Sequence, residues 1–143
     1  MKILVVHGPN LNLLGTREQS VYGTQTLAEL DAAIKGAADG LGIEVDIHQT
    51  AHEGVIVELL HGGIDQVAGA VINFSAYSHT SRAIADAIRA VPFPVIEVHL
   101  SNIHAREPWR RRSVTAEATA GVIAGLGQGS YMAALRALKD LVG

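Results

Sequence analysis

The sequence contains no cysteine, which excludes disulfides, thiolate metal sites and a cysteine nucleophile. That absence suits a reducing compartment and leads us to expect a cytoplasmic protein. Aromatic residues make up only 4% of the chain, so the core has to be built from Ala, Val, Ile and Leu. No apolar run approaches the ~18 residues of a membrane span, and the run Ile3-Leu4-Val5-Val6 is too short for a signal peptide. Basic surface is also scarce: the net charge is −3 with histidines neutral, which argues against a dedicated nucleic-acid binder. Charged residues are 17% and hydrophobic ones 48%, a balance that excludes intrinsic disorder. The 143 residues fit one compact domain, expected over 1–143, that buries roughly 70% of its unfolded surface.

What is present is an alternation of short β-branched runs with helix-period segments. Strands are expected at Ile3–Val6, Ile43–His48, Ala70–Ile72, Pro94–Leu100 and Ala120–Leu126. Helices are expected from the Thr26-Leu27-Ala28-Glu29 capping box to about Gly40, then over Glu53–His61, Thr80–Ala90 and Ser130–Val142. The stretch from Asn10 to Thr24 reads as irregular. This order implies a five-stranded parallel sheet with helices on both faces, simplest as a flavodoxin-like three-layer α/β fold of strand order 2-1-3-4-5.

Ligands of such sheets bind beyond the carboxyl ends of the strands. The segments that follow the strands carry most of the histidines and asparagines, which favours a site at that edge. No phosphate-cradling G-x-x-x-x-G-K-[ST] run exists. Gly125-Leu126-Gly127-Gln128-Gly129 precedes a helix as a dinucleotide loop does, but the chain ends before the expected ribose-binding acid, so a plain glycine turn is favoured. His48 and His52 have i, i+4 spacing but flank a strand end, and polar loop histidines are favoured there over metal ligands. Arg110-Arg111-Arg112 fits a solvated cluster and a small-anion site equally well.

Two constellations carry chemistry. In Arg17-Glu18-Gln19-Ser20-Val21-Tyr22-Gly23, an arginine close to Tyr22 would stabilise the phenolate and make it a usable base; a packed tyrosine ring is the blander reading. In Glu97-Val98-His99-Leu100-Ser101-Asn102, strand alternation puts Glu97 and His99 on one face, so the carboxylate would orient the imidazole as a general acid. A strand-end histidine bonded to backbone explains the same pattern equally well. Together they suggest proton chemistry on a small anionic molecule, without metal or covalent nucleophile.

The segments His7-Gly8-Pro9-Asn10-Leu11-Asn12-Leu13-Leu14-Gly15-Thr16-Arg17-Glu18, Tyr22-Gly23, His52-Glu53-Gly54 and Ser78-His79-Thr80-Ser81 resemble the type II 3-dehydroquinate dehydratases. The resemblance continues through Ile96 to Glu107, Gly125-Leu126-Gly127 and Tyr131, nearly end to end and in order. It implies anti elimination of water from 3-dehydroquinate, giving 3-dehydroshikimate for aromatic synthesis or in quinate breakdown, with no cofactor and no metal. Tyr22 would take the C2 proton, Arg17 would hold it as phenolate, and Asn10 would hold a water on the enolate oxygen. His99 would protonate the leaving C1 hydroxyl, oriented by Glu97. Asn73, His79, Leu100, Ser101 and Arg110 match positions that bind the substrate, and Asp86 matches one contributed across a subunit contact. The resemblance thus implies a homo-oligomer, a dodecamer of trimers, with no membrane or nucleic-acid partner. The three lysines, Lys2, Lys35 and Lys139, lie outside the matched motifs, so no Schiff base is expected.

The chain departs from that family in three places: Phe74-Ser75-Ala76 where Pro-Gly-Ala is usual, Ala51 where Asn is frequent, and His7 where Asn is common. None removes a proton-transfer residue, so altered affinity is the most they predict. A non-catalytic small-acid-binding relative is the competing class, and a flavin or nucleotide carrier the third.

Overall fold

The computed structural model describes residues 1–143. Ile3 to Val6 are all essentially buried, as a continuous apolar run requires of a strand covered on both faces. They form the middle of β1 (Lys2–His7), followed in chain order by α1 (Gln19–Tyr22), α2 (Leu27–Gly40), β2 (Glu44–Gln49), α3 (Glu53–Gly62), β3 (Gly69–Asn73), α4 (Arg82–Ala90), β4 (Val95–His99), β5 (Gly121–Ala124) and α5 (Gly129–Val142). All strand pairs are parallel and their order is β2-β1-β3-β4-β5, as the sequence predicts.

Alternation along the strands divides the core in two. Ile3, Val5, Val71, Ile96 and Val98 pack with Leu30 and Ile34 of α2 and with Tyr131, Leu135 and Leu138 of α5. Leu4, Val6, Ala70, Ile72 and Val95 pack with Ile56 and Leu60 of α3 and Ile84 and Ile88 of α4. The residue after each strand therefore stands at one common edge, and its parity decides which helix pair it faces.

Local chemistry sets the helix starts. The Thr26 hydroxyl accepts the Glu29 amide at 3.2 Å, but the Glu29 carboxylate takes the Thr26 hydroxyl at 3.0 Å, so the reciprocal backbone bond of the expected capping box is not made. Ser81 caps α4 by accepting the Ile84 amide at 3.0 Å, which moves that helix start beyond Thr80.

The expectation of irregular chain from Asn10 to Thr24 needs correction. Leu11 and Leu14 are buried against the α2/α5 core, and that anchorage winds Leu11–Leu13 into a 3-10 turn after Asn10, whose φ is 71°. Gln19–Tyr22 then forms one α-turn, in which the Tyr22 amide bonds the Glu18 carbonyl at 3.0 Å. Glycine is required at position 8, where a Cβ would stand 2.8 Å from the Phe74 carbonyl oxygen. β5 is shorter than expected because Gly125, at φ 89°, turns the chain away. In that glycine loop the Gly125 and Gly127 amides donate to the His99 and Leu100 carbonyls, at 3.2 and 3.0 Å. Two of the donors a pyrophosphate would need are thus already engaged.

Candidate active site

A cleft opens at the carboxyl edge of β1, β3 and β4. Of the residues singled out from the sequence, Asn10, Arg17, Tyr22, Asn73, His79, His99, Leu100, Ser101 and Arg110 line it. Glu97 stands behind His99 rather than in the cleft, fully buried. Asp86 is not brought there: it sits on α4 with its side chain 83% exposed, paired with Arg89 at 3.3 Å.

Val95 packs on the α3/α4 face while Ile96 and Val98 pack on the other, so Glu97 and His99 both turn toward the α3/α4 face. The His99 Nε2 lies 2.8 Å from Glu97 Oε2. A buried carboxylate needs further donors, and two hydroxyls supply them: Ser113 Oγ donates to Glu97 Oε2 at 2.8 Å, and Thr115 Oγ1 donates to Oε1. An acceptor-only carboxylate fixes the proton of neutral His99 on Nε2. The other ring nitrogen has no hydrogen bond, yet no buried side-chain polar atom lacks a partner, so Nδ1 must reach the cleft.

Tyr22 is held by two guanidinium groups. Arg17 Nη2 donates to its hydroxyl at 3.4 Å, Arg106 Nη1 donates to the same oxygen, and the two Cζ atoms lie 4.6 and 5.1 Å from the ring centroid. Arg106 is only 10% exposed and also bonds Glu18 at 3.1 Å. Burial pulls its pKa down, but the hydrogen bond and charge of Tyr22, with those of Glu107 and Glu18, leave it above the ordinary value. Two guanidinium donors thus converge on one phenol oxygen.

The run of three arginines is divided by the structure. Arg110 lines the cleft and pairs with Glu107 at 2.6 Å, a bond that holds the Glu107 carboxyl below the usual range. Arg112 is 77% exposed and pairs with Glu117 at 3.6 Å. His79 stacks near His99, with centroids 6.2 Å apart, and its Nδ1 donates to the Arg112 carbonyl at 2.7 Å. Burial lowers the His79 pKa; the carbonyl bond opposes this, and the charges of His99 and Arg110 add to the lowering.

The departure at Phe74-Ser75-Ala76 now has a geometry. Ser75 adopts φ 55°, a left-handed conformation that glycine takes more readily. Its amide donates to Asn73 Oδ1 at 3.0 Å, so the turn that replaces Pro-Gly-Ala still orients the Asn73 side chain. His48, weighed as a metal ligand, pairs instead with Asp46 at 3.0 Å.

Three residues escaped reasoning from the sequence. Arg106 carries no role in the sequence reading, because 84 positions separate it from Tyr22. Ser113 and Thr115 were detectable in principle, since a buried Glu97 demands hydroxyl or amide donors, but nothing in the sequence says which.

The chain is similar to known proteins along nearly its whole length. The family model described as "Dehydroquinase class II" matches residues 1–139. A curated 3-dehydroquinate dehydratase of Chelativorans sp. is 55% identical over 137 residues, covering 95% of this chain and 94% of that protein. That of Rhizobium meliloti is 52% identical over 97% of this chain and 94% of its own. Among solved structures, the type II dehydroquinase from Butyrivibrio crossotus superposes with a TM-score of 0.95 at 41% identity, covering 96% of this chain and 97% of that one. With the family model spanning nearly every residue and relatives more than half identical, this chain belongs to the class II dehydroquinases.

Proposed function

We propose that this protein is a 3-dehydroquinate dehydratase of type II, eliminating water from 3-dehydroquinate to give 3-dehydroshikimate. The reading draws on the family and its curated relatives, and one observation carries it chemically. A tyrosine hydroxyl held between Arg17 and Arg106 shares a cleft with a histidine whose carboxylate-free nitrogen faces that cleft.

The Tyr22 phenolate takes the proton from C2, beside the ketone, and the electron pair passes onto the carbonyl oxygen as an enolate. Arg17 and Arg106 stabilise the phenolate before the transfer. Asn10 holds a water on the enolate oxygen. The enolate pair then returns to form the C1–C2 double bond as the C1 hydroxyl departs with a proton from His99, completing one molecule of water. Glu97 fixes the ring and stabilises its charged form, and Ser113 and Thr115 hold Glu97. Asn73, His79, Ser101 and Arg110, with the Leu100 and Ser101 amides, bind the hydroxyls and carboxylate. No step requires a lysine, a metal or a cofactor. The exposed position of Asp86 suits a residue offered to another copy of the chain, as in a dodecamer of trimers, and light scattering on the purified protein tests that assembly.

The decisive experiment is the ultraviolet absorbance of purified protein mixed with 3-dehydroquinate, beside a sample first incubated with 3-dehydroquinate and borohydride together and then desalted before assay. The conjugated enone of the product should appear in both. Loss of the signal after borohydride would install a Schiff base; no signal from a protein that still binds the substrate would make it a binding relative.

A further inference from the structure

Against two of the polar side chains that line the cleft stands Trp109, which the proposed reaction does not use. It lies in the 3-10 turn Pro108–Arg110, opened by a proline whose fixed φ suits that position and closed by the Arg110 amide on the Glu107 carbonyl at 2.9 Å. The Arg110 guanidinium carbon lies over the indole, 4.2 Å from its centroid and within cation–π reach. His79, at the end of the 3-10 turn Ser75–His79 after β3, meets the same indole edge-on, with centroids 5.2 Å apart and planes at 88°. A surface aromatic by itself signifies little. What marks this one is that both its ring contacts are with polar groups of the cleft.

Each contact fixes a group while leaving its ligand-binding atoms free. Arg110 is gripped from two directions: its Nε donates to Glu107 Oε2 at 2.6 Å, and Trp109 covers the guanidinium, so that its side chain is only 17% exposed. The salt bridge uses one of five N–H donors, and the four on the two Nη atoms make no hydrogen bond within the protein. An aromatic face holds a guanidinium without consuming a donor. A second carboxylate in that place would take N–H groups and cancel the charge that a ligand anion needs. His79 is held comparably. Its Nδ1 donates to the Arg112 carbonyl at 2.7 Å, which leaves Nε2 of the neutral ring as an acceptor, and the ring abuts Trp109 while stacking near His99. One side offers donors and the other an acceptor, a pair suited to an acid that carries both carboxylate and hydroxyl groups.

We propose that Trp109 is a positioning residue for substrate binding: its ring holds the Arg110 guanidinium and the His79 imidazole where both meet the bound acid. This rests on the dehydratase reading, in which Arg110 and His79 touch substrate. A long side chain held in place before binding loses less freedom when the ligand arrives, so the gain appears in affinity. Proton transfer belongs to Tyr22 and His99, so kcat is spared.

The test is steady-state kinetics on 3-dehydroquinate for the wild type, Trp109→Leu, Trp109→Phe, and Trp109→Leu added to an enzyme already carrying Arg110→Ala and His79→Ala, with melting curves to confirm folding. Trp109→Leu should raise KM about three- to tenfold with kcat within about twofold. Trp109→Phe keeps an aromatic face and should hold KM within about twofold of the wild type. Without Arg110 and His79, replacing Trp109 should lower kcat/KM no further, since its effect passes through those two residues. An unchanged KM in Trp109→Leu, a Trp109→Phe enzyme as impaired as Trp109→Leu, or an undiminished effect in the absence of Arg110 and His79 overturns the proposal alone. No turnover by the wild type sinks the dehydratase reading itself. Should Trp109→Leu not fold, Trp109→Met, which keeps bulk without an aromatic face, takes its place with the same expectations and the same overturning results.

Discussion

Two buried histidines in this molecule are paired with carboxylates through Nε2 at nearly the same distance, His99 with Glu97 at 2.8 Å and His7 with Asp31 at 2.7 Å. Both follow apolar residues at the carboxyl ends of central strands. The pairs differ in everything around them. Glu97 is sealed and held by two hydroxyls, while the far nitrogen of His99 opens into the cleft. Around His7 the arrangement is reversed: the carboxylate reaches solvent and the far nitrogen is closed off by Tyr131. A carboxylate partner therefore does not make a histidine an acid. On the proposed mechanism, what does is a second nitrogen left without a protein partner where a ligand can meet it.

The contrast can be broken by experiment, and the largest effects are expected from the groups proposed to react. His99→Ala and Tyr22→Phe should each lower kcat by about 10²- to 10⁴-fold while melting temperatures move little. His7→Ala should do the opposite, costing about 2–4 kcal/mol of stability by stranding buried polar groups and opening a void, with a far smaller change in kcat. Equal losses of kcat for His99→Ala and a folded His7→Ala would abolish the distinction.

Next in size is Thr115→Val, which removes one donor from buried Glu97. It should cost about 1–3 kcal/mol and lower kcat through the loosened His99, measured by denaturant unfolding and turnover. Asp31→Asn at the half-open pair should cost less than about 1 kcal/mol, because water can replace what is lost.

A smaller effect concerns pH. The pKa of His79 is lowered in the fold, chiefly by burial, so the native state binds its proton less readily than the unfolded chain does. Its contribution is present above the ordinary value of 6.5 and is lost as pH falls through 6.5 toward the lower native value. His79→Asn should flatten that part of the stability curve, by well under about 1 kcal/mol given solvent screening. Steepening instead would reverse the sign. Smallest of all, Ser75→Gly should leave stability nearly unchanged, since relief at φ 55° is offset by the freedom glycine regains when unfolded. A raised KM would mean that the Ser75 side chain, beyond its backbone, serves the cleft.

Much of the fold was legible because each strand is a short β-branched run and each long helix has a capping hydroxyl or a glycine at its boundary. Strand parity put Glu97 beside His99 from two positions of spacing alone. The failures share a cause. The 3-10 turn at Leu11–Leu13 depends on where Leu11 and Leu14 find apolar partners, which are remote in sequence. Arg106 reaches Tyr22 across a span no local pattern records. The Asp31-His7-Tyr131 line draws on three elements, so no segment read singly contains it.

The chain has a single tryptophan, Trp109, which stands half-exposed against His79 and Arg110, two residues that line the cleft. Its ring meets His79 edge-on at 5.2 Å and carries the Arg110 guanidinium 4.2 Å above its face. Both neighbours are expected to touch the bound acid, so occupancy changes the polarity and charge around the indole. The intrinsic emission of the protein is consequently a label-free optical gauge of ligand binding, free of background from any other indole. It can time the arrival of substrate in a stopped-flow instrument separately from the appearance of product absorbance.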